Sequence, residues 1–206
     1  MNRASDREAL QEVLRWWAIL PRSDGLFRLL STGLESTIRE VEASASLFWG
    51  FDGLRLRLLT AHRTSIDLIK PGKMNIGEGL SGRAMMERKP LASENLETDD
   101  RLALRESGYT RVFRSLIAIP LTLGQEPCGV INVLDKKLRR FTEKDVSALQ
   151  FLTQRLALSL HHCAFFPELA GDWLMQLQFD TRTLKVNKRD STGDTQLPKG
   201  ISYPTL

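Results

Sequence analysis

The chain is poor in cysteine and histidine, with two of the former and three of the latter in 206 residues, and it has no apolar run near the ~20 residues of a membrane span. Cys128 and Cys163 form neither a CxxC pair nor the dense framework of a small secreted domain, so a disulfide scaffold is excluded and a reducing cytoplasm is expected. Residues 2–11 are polar with alternating charge, and no secretory signal is expected there. An excess of one charge is also missing. Of the formal net charge of +4, most comes from residues 181–206, which hold five cations and two anions, so the body of the chain is nearly neutral. Nucleic acid needs a phosphate-neutralising surface and is therefore disfavoured as a partner, as is a membrane.

What the chain does contain is a glycine segment, GEGLSGRAMMERKPL, at residues 77–91. Its GxGxxG invites a dinucleotide reading, which requires a buried strand before it and a full-length helix after it. Residues 70–76 are too polar and broken for a central strand, and Pro90 ends any helix after about two turns. Gly77, Gly79 and Gly82 are expected instead to serve a turn and close packing.

Apolar spacing predicts an amphipathic helix over residues 5–20, ending before Pro21, and a second helix from Ser23 or Asp24 to Val41. Residues 46–51 and 54–61 flank Asp52 and Gly53 as a two-residue hairpin. Residues 90–93 read as a short extended piece and 99–107 as a short helix ending at Gly108. A second hairpin joins 115–123 to 128–134. Thr142 then caps a long helix that ends near His162. Helix, helix, hairpin, crossover, hairpin, helix describes an α+β fold, an antiparallel sheet with helices packed on it.

Two blocks, GEGLSGRAMMERKPLASENL and RSLIAIPLTLGQEPCGVINVLDKKLRRFTEKDVSALQFLTQRLALSL, resemble the GAF domain family of small-molecule sensory modules, related in architecture to PAS domains. The resemblance spans residues 23–162, leaving 1–22 as an added amphipathic helix and 163–206 as an extension, strand-like at first and then disordered. It implies terminal helices on one sheet face, and a crossover at about residues 93–114 enclosing a ligand cavity on the other. It also implies a stand-alone sensor that binds a small metabolite and signals through dimerisation or a partner protein. A ligand-free scaffold serving assembly is the alternative.

Subfamily motifs narrow the chemistry. The cyclic-nucleotide pattern fails, because Asn132 is followed by Val133 and Asp145 by Val146. The free methionine sulfoxide reductase branch carries reactive cysteines in the crossover, where this chain has none, so no enzyme activity is expected. Bilin attachment fails for the same reason. His161, His162 and Cys163 project about 100° apart on a helix and do not converge on one metal, so no metal site is expected and no cofactor can be named.

The polar residues that remain are the candidate ligand contacts: Ser93, Asn95, Tyr109 and Arg111 from the crossover, Arg114, Ser115, Cys128 and Asn132 from the second hairpin. Strand alternation puts Asn132 on one face with Cys128 and Val130, and Arg111 with Arg114 would favour a carboxylate or other anion. Leu10, Leu14 and Trp17 at one end, and Trp173, Leu177 and Phe179 at the other, are candidate interface residues of a homodimer or a regulatory partner.

Overall fold

A computed structural model describes residues 24–66, 72–102, 108–123 and 126–165. The expected interface residues Leu10, Leu14, Trp17, Trp173, Leu177 and Phe179 lie outside these, as do the side chains of His161, His162 and Cys163.

Six strands make one antiparallel sheet: β1 (Ala45–Phe51), β2 (Arg55–His62), β3 (Lys73–Asn75), β4 (Leu91–Ser93), β5 (Ser115–Leu123) and β6 (Glu126–Asp135). Their order is β3-β2-β1-β6-β5-β4, so the two longest apolar hairpins meet at the centre through β1 and β6. Both edges are three-residue strands, short enough to offer little template for pairing with another chain. Helices α1 (Asp24–Glu40) and α3 (Glu143–Phe165) cover one face; α2 (Gly79–Glu87) and a single 3₁₀ turn, Tyr109–Arg111, belong to the other.

Strands β1, β5 and β6 are buried on both faces, which is why they read as apolar runs rather than alternating ones. On the helix side Phe48, Ile117, Ile119, Ile131 and Val133 pack with Leu30, Leu34, Leu149 and Leu156. On the crossover side Leu47, Trp49, Leu116, Val130 and Leu134 pack with Leu80, Met85, Leu96 and Phe113. Each such side chain contributes about 1.5–3 kcal/mol on full burial.

The helix ends follow their local chemistry. Thr142 is the N-cap of α3 in a reciprocal box: its hydroxyl accepts the Asp145 N–H at 3.2 Å, and its own N–H donates to the Asp145 carboxylate at 2.9 Å. Phe141 and Val146, one on each side of that box, both pack into the helix-side core as a hydrophobic staple. Helix α1 ends with Ala43 N–H donating to Ile38 O at 2.9 Å and Glu42 at φ +52°, a Schellman closure without the usual glycine. Arg139 joins the two ends, donating to Val41 O, lying 3.3 Å from Asp145 and stacking over Phe141 at 5.1 Å.

Two local expectations change. The first hairpin turn has three residues, not two, because the Asp52 carboxylate accepts the N–H groups of Leu54 and Arg55 and delays the start of β2. Over the described residues 99–102 the chain makes turns rather than the expected helix, since Asp99 accepts the Arg101 N–H at 3.0 Å in an Asx turn.

Candidate ligand-binding face

The glycine segment delivers α2 onto the sheet. Gly77 at φ +81° turns the chain, its N–H donates to Gly82 O at 2.8 Å, and Gly82 lies so close to Asn75 O that a side chain there would collide with backbone. This close approach presses Leu80, Ser81, Ala84 and Met85 onto the face formed by β1, β5 and β6. The glycines therefore serve turn and packing.

Four buried polar side chains meet there. Asn132 of β6 donates through Nδ2 to Ser81 Oγ at 2.8 Å, and the Ser81 hydroxyl lies 3.2 Å from Asn132 Oδ1. Tyr109 Oη, carried in by the 3₁₀ turn, accepts from Trp49 Nε1 at 3.2 Å and from Asn132 Nδ2 at 3.4 Å. All four residues are fully buried. An amide in an apolar strand costs free energy unless it is bonded, and here Ser81 and Tyr109 supply its partners. The Tyr109 contacts are longer than the usual 2.9–3.0 Å of an N–H···O bond.

Ser93 of β4 shares the same sheet face, opposite Leu116. Its hydroxyl is buried and meets no hydrogen-bond geometry, although it helps the neighbouring Asp99 carboxylate ionise. The Arg101 guanidinium is the main cause of that ionisation: it bonds Asp99 at 2.6 Å and 2.9 Å and holds the acid down at about 2 against the ordinary 3.8, with burial opposing. Arg101 also donates to Ala92 O at 2.8 Å, tying this turn to the β4 edge.

The other expected contacts lie elsewhere. Cys128 does not share a face with Asn132. A register shift between Leu121 and Thr122 pairs Leu121 with Gly129 and Thr122 with Pro127, leaving Cys128 as the extra residue of a bulge and turning its side chain into the helix-side core. Ser115 falls on the parity of Ile117 and donates to Lys137 O at 2.9 Å. Asn95 accepts the Glu97 N–H in a turn, at 3.1 Å. Arg114 is exposed and paired with Glu97, and Arg111 is exposed, so these arginines do not converge with the buried groups.

Of the four side chains that meet, sequence reasoning thus named Tyr109 and Asn132 and did not name Ser81 and Trp49. Both carried a signal. Ser81 sits among Leu80, Ala84 and Met85 on the inward side of a glycine-opened helix, and an indole at a buried strand position needs an acceptor.

A curled sheet with terminal helices behind it and a helix-bearing crossover in front is the arrangement expected from the resemblance, and the GAF domain family matches residues 27–161. The chain belongs to the GAF domain family. No curated protein matches it in sequence. Among solved structures it is similar to the GAF domain of a phosphoenolpyruvate-protein phosphotransferase from Coxiella burnetii, at 16% identity and TM-score 0.61, covering 82% of this chain and 100% of that one. It is also similar to the free methionine-R-sulfoxide reductase of Neisseria meningitidis bound to its substrate, at 17% identity, TM-score 0.57 and coverage of 81% and 95%. The GAF-B domain of DevS from Mycobacterium smegmatis gives 12%, 0.55, and coverage of 70% and 98%. At such identities the likeness is one of fold. Among the described residues of this GAF protein no helix is long and apolar enough to cross a membrane, and no three metal-ligating side chains cluster.

Proposed function

We propose that this GAF protein is a regulatory sensor in which a small polar metabolite takes the place now held by the Tyr109 hydroxyl, between Trp49 and Asn132. The observation that carries this reading is that the Trp49 indole and the Asn132 amide aim two donors at one buried acceptor, the Tyr109 hydroxyl. A ligand that accepts from both the indole and the amide would return those two hydrogen bonds when it moves the phenol aside. The Ser93 hydroxyl, buried at the margin of the same face, offers a further contact. Movement of the 3₁₀ turn would then alter contacts of the terminal segments with a second copy or a partner protein.

We assign the protein no catalysis. Residues 93–114 hold no cysteine, and Cys128 is buried on the helix side of the sheet. Cysteine usage is the ground for placing it in the cytoplasm.

The assembly-scaffold reading is favoured by a specific observation too: Trp49, Phe113, Leu96 and Tyr109 are all fully buried and fill the crossover side. Thermal-shift and native mass-spectrometry screens of polar metabolites distinguish the two readings. A ligand that raises the melting temperature of the full chain, and binds Tyr109→Phe more tightly because that variant leaves the Trp49 indole without its acceptor, supports the sensor. No stabilising compound for either protein leaves the scaffold.

A further inference from the structure

Strand β6 ends at Asp135, and Lys136, Lys137, Leu138, Arg139 and Arg140 follow it. Within this basic run the apolar residue is left outside, with Leu138 65% exposed. Arg139 turns inward to Val41 O and Asp145, whereas Lys136, Lys137 and Arg140 stay at the surface.

The sheet sets a second basic segment beside the first. Ser115 pairs with Asp135, the Arg114 N–H donates to Asp135 O at 2.7 Å, and the Ser115 hydroxyl donates to Lys137 O at 2.9 Å. The chain entering β5 therefore lies against the chain leaving β6, and it carries Arg111 and Val112, both exposed, the latter at 39%. Two carboxylates offset two of the cations gathered there, Glu97 pairing with Arg114 and Glu94 with Arg140 at 3.5 Å. Among the described residues no carboxylate pairs with Arg111, Lys136 or Lys137.

We propose that this end of the sheet is a docking surface for an acidic segment of a partner protein, in which carboxylates flank a large apolar side chain that covers Leu138 and Val112. Charge complementarity selects this occupant. A second copy placed symmetrically on the surface would set like charges against each other. Residues 181–206 hold five cations and two anions and do not complement it either. An anionic membrane draws on clusters of about four to eight cations. Here three are uncompensated, and Glu94 and Glu97 stand exposed beside them. The surface does not depend on a ligand at Tyr109, and its test uses none.

The test titrates the full chain, by fluorescence anisotropy, against a panel of short labelled peptides in which Asp and Glu flank one central Leu, Phe or Trp. Two variants accompany the parent: the charge reversal Lys136→Glu with Lys137→Glu, and Leu138→Ser. All three positions are exposed, so the variants should melt as the parent does. The parent is expected to bind. The charge reversal should weaken binding about ten-fold or more at low salt, and by less at about 0.5 M salt. Leu138→Ser should weaken it about five- to ten-fold at either salt, the effect of losing one apolar contact. No binding by any peptide of the panel overturns the proposal, as does binding that survives both variants. Retention on phosphatidylserine vesicles, or a low-salt dimer in sedimentation, that exceeds peptide binding and is abolished by the charge reversal would assign the surface to a lipid or to a second copy, and overturns it as well.

Discussion

Asn132 Nδ2 donates to Ser81 Oγ at 2.8 Å, joining the central strand of the sheet to the helix of the crossover across 51 residues of sequence. Both groups are buried, so neither can fall back on water if the other is removed. Asn132→Leu is expected to destabilise the fold by about 1–3 kcal/mol, the cost of breaking a buried hydrogen-bonded pair from one side. Urea unfolding of Asn132→Leu, Ser81→Ala and the double variant checks it. The double variant should lose much less than the sum of the two singles, and strict additivity would mean that the pair is not coupled.

Gly82 has no room for a side chain. Its missing Cβ would fall on Asn75 O, a backbone atom held by the β3 pairing, so relief requires moving the strand or the helix. Gly82→Ala should cost about 1–3 kcal/mol. A melting temperature within a degree of the parent would show that α2 is free to shift.

Glu42 presents the opposite case, an exposed non-glycine residue in the left-handed region at φ +52°. A side chain in that conformation costs about 1–2 kcal/mol relative to glycine. Part of this is returned by the greater freedom of glycine in the unfolded chain. Glu42→Gly is therefore expected to stabilise the protein by a few tenths to about 1 kcal/mol, read as an upward shift of the unfolding midpoint without change of slope.

Asp99 makes part of the stability pH-dependent. Its carboxyl is held at about 2 in the folded chain, chiefly by Arg101, against the ordinary 3.8. A depressed acid contributes fully above the unfolded value, and its contribution is lost as pH falls from about 4 toward 2. Asp99→Asn should thus be less stable than the parent at pH 7, with the gap closing near pH 2.5. An equal gap at both values would remove the Arg101 pair as its cause.

The α+β class, the two hairpins, the position of α3 and its Thr142 cap, and the structural role of the glycines were legible because each depends on local pattern: apolar period, turn residues, cap chemistry. The grouping of Tyr109 with Asn132 was partly legible, since a buried amide announces its need for a partner. Ser81 and Trp49 were overlooked because sequence spacing does not say which distant polar group meets which.

Local chemistry also misled where a single residue reset the geometry. Strand alternation placed Cys128 beside Asn132, but one bulge turned it to the opposite face. Asx turns at Asp52 and Asp99 moved a strand start and put turns in place of the predicted helix over residues 99–102. By itself the sequence determined α1, α3 and the two hairpins, because those preferences rest on neighbours within a few residues. Only the tertiary structure decided that Tyr109, Trp49, Asn132 and Ser81 meet, because buried hydrogen bonds across 51 and 60 residues depend on register, bulges and the close approach of α2.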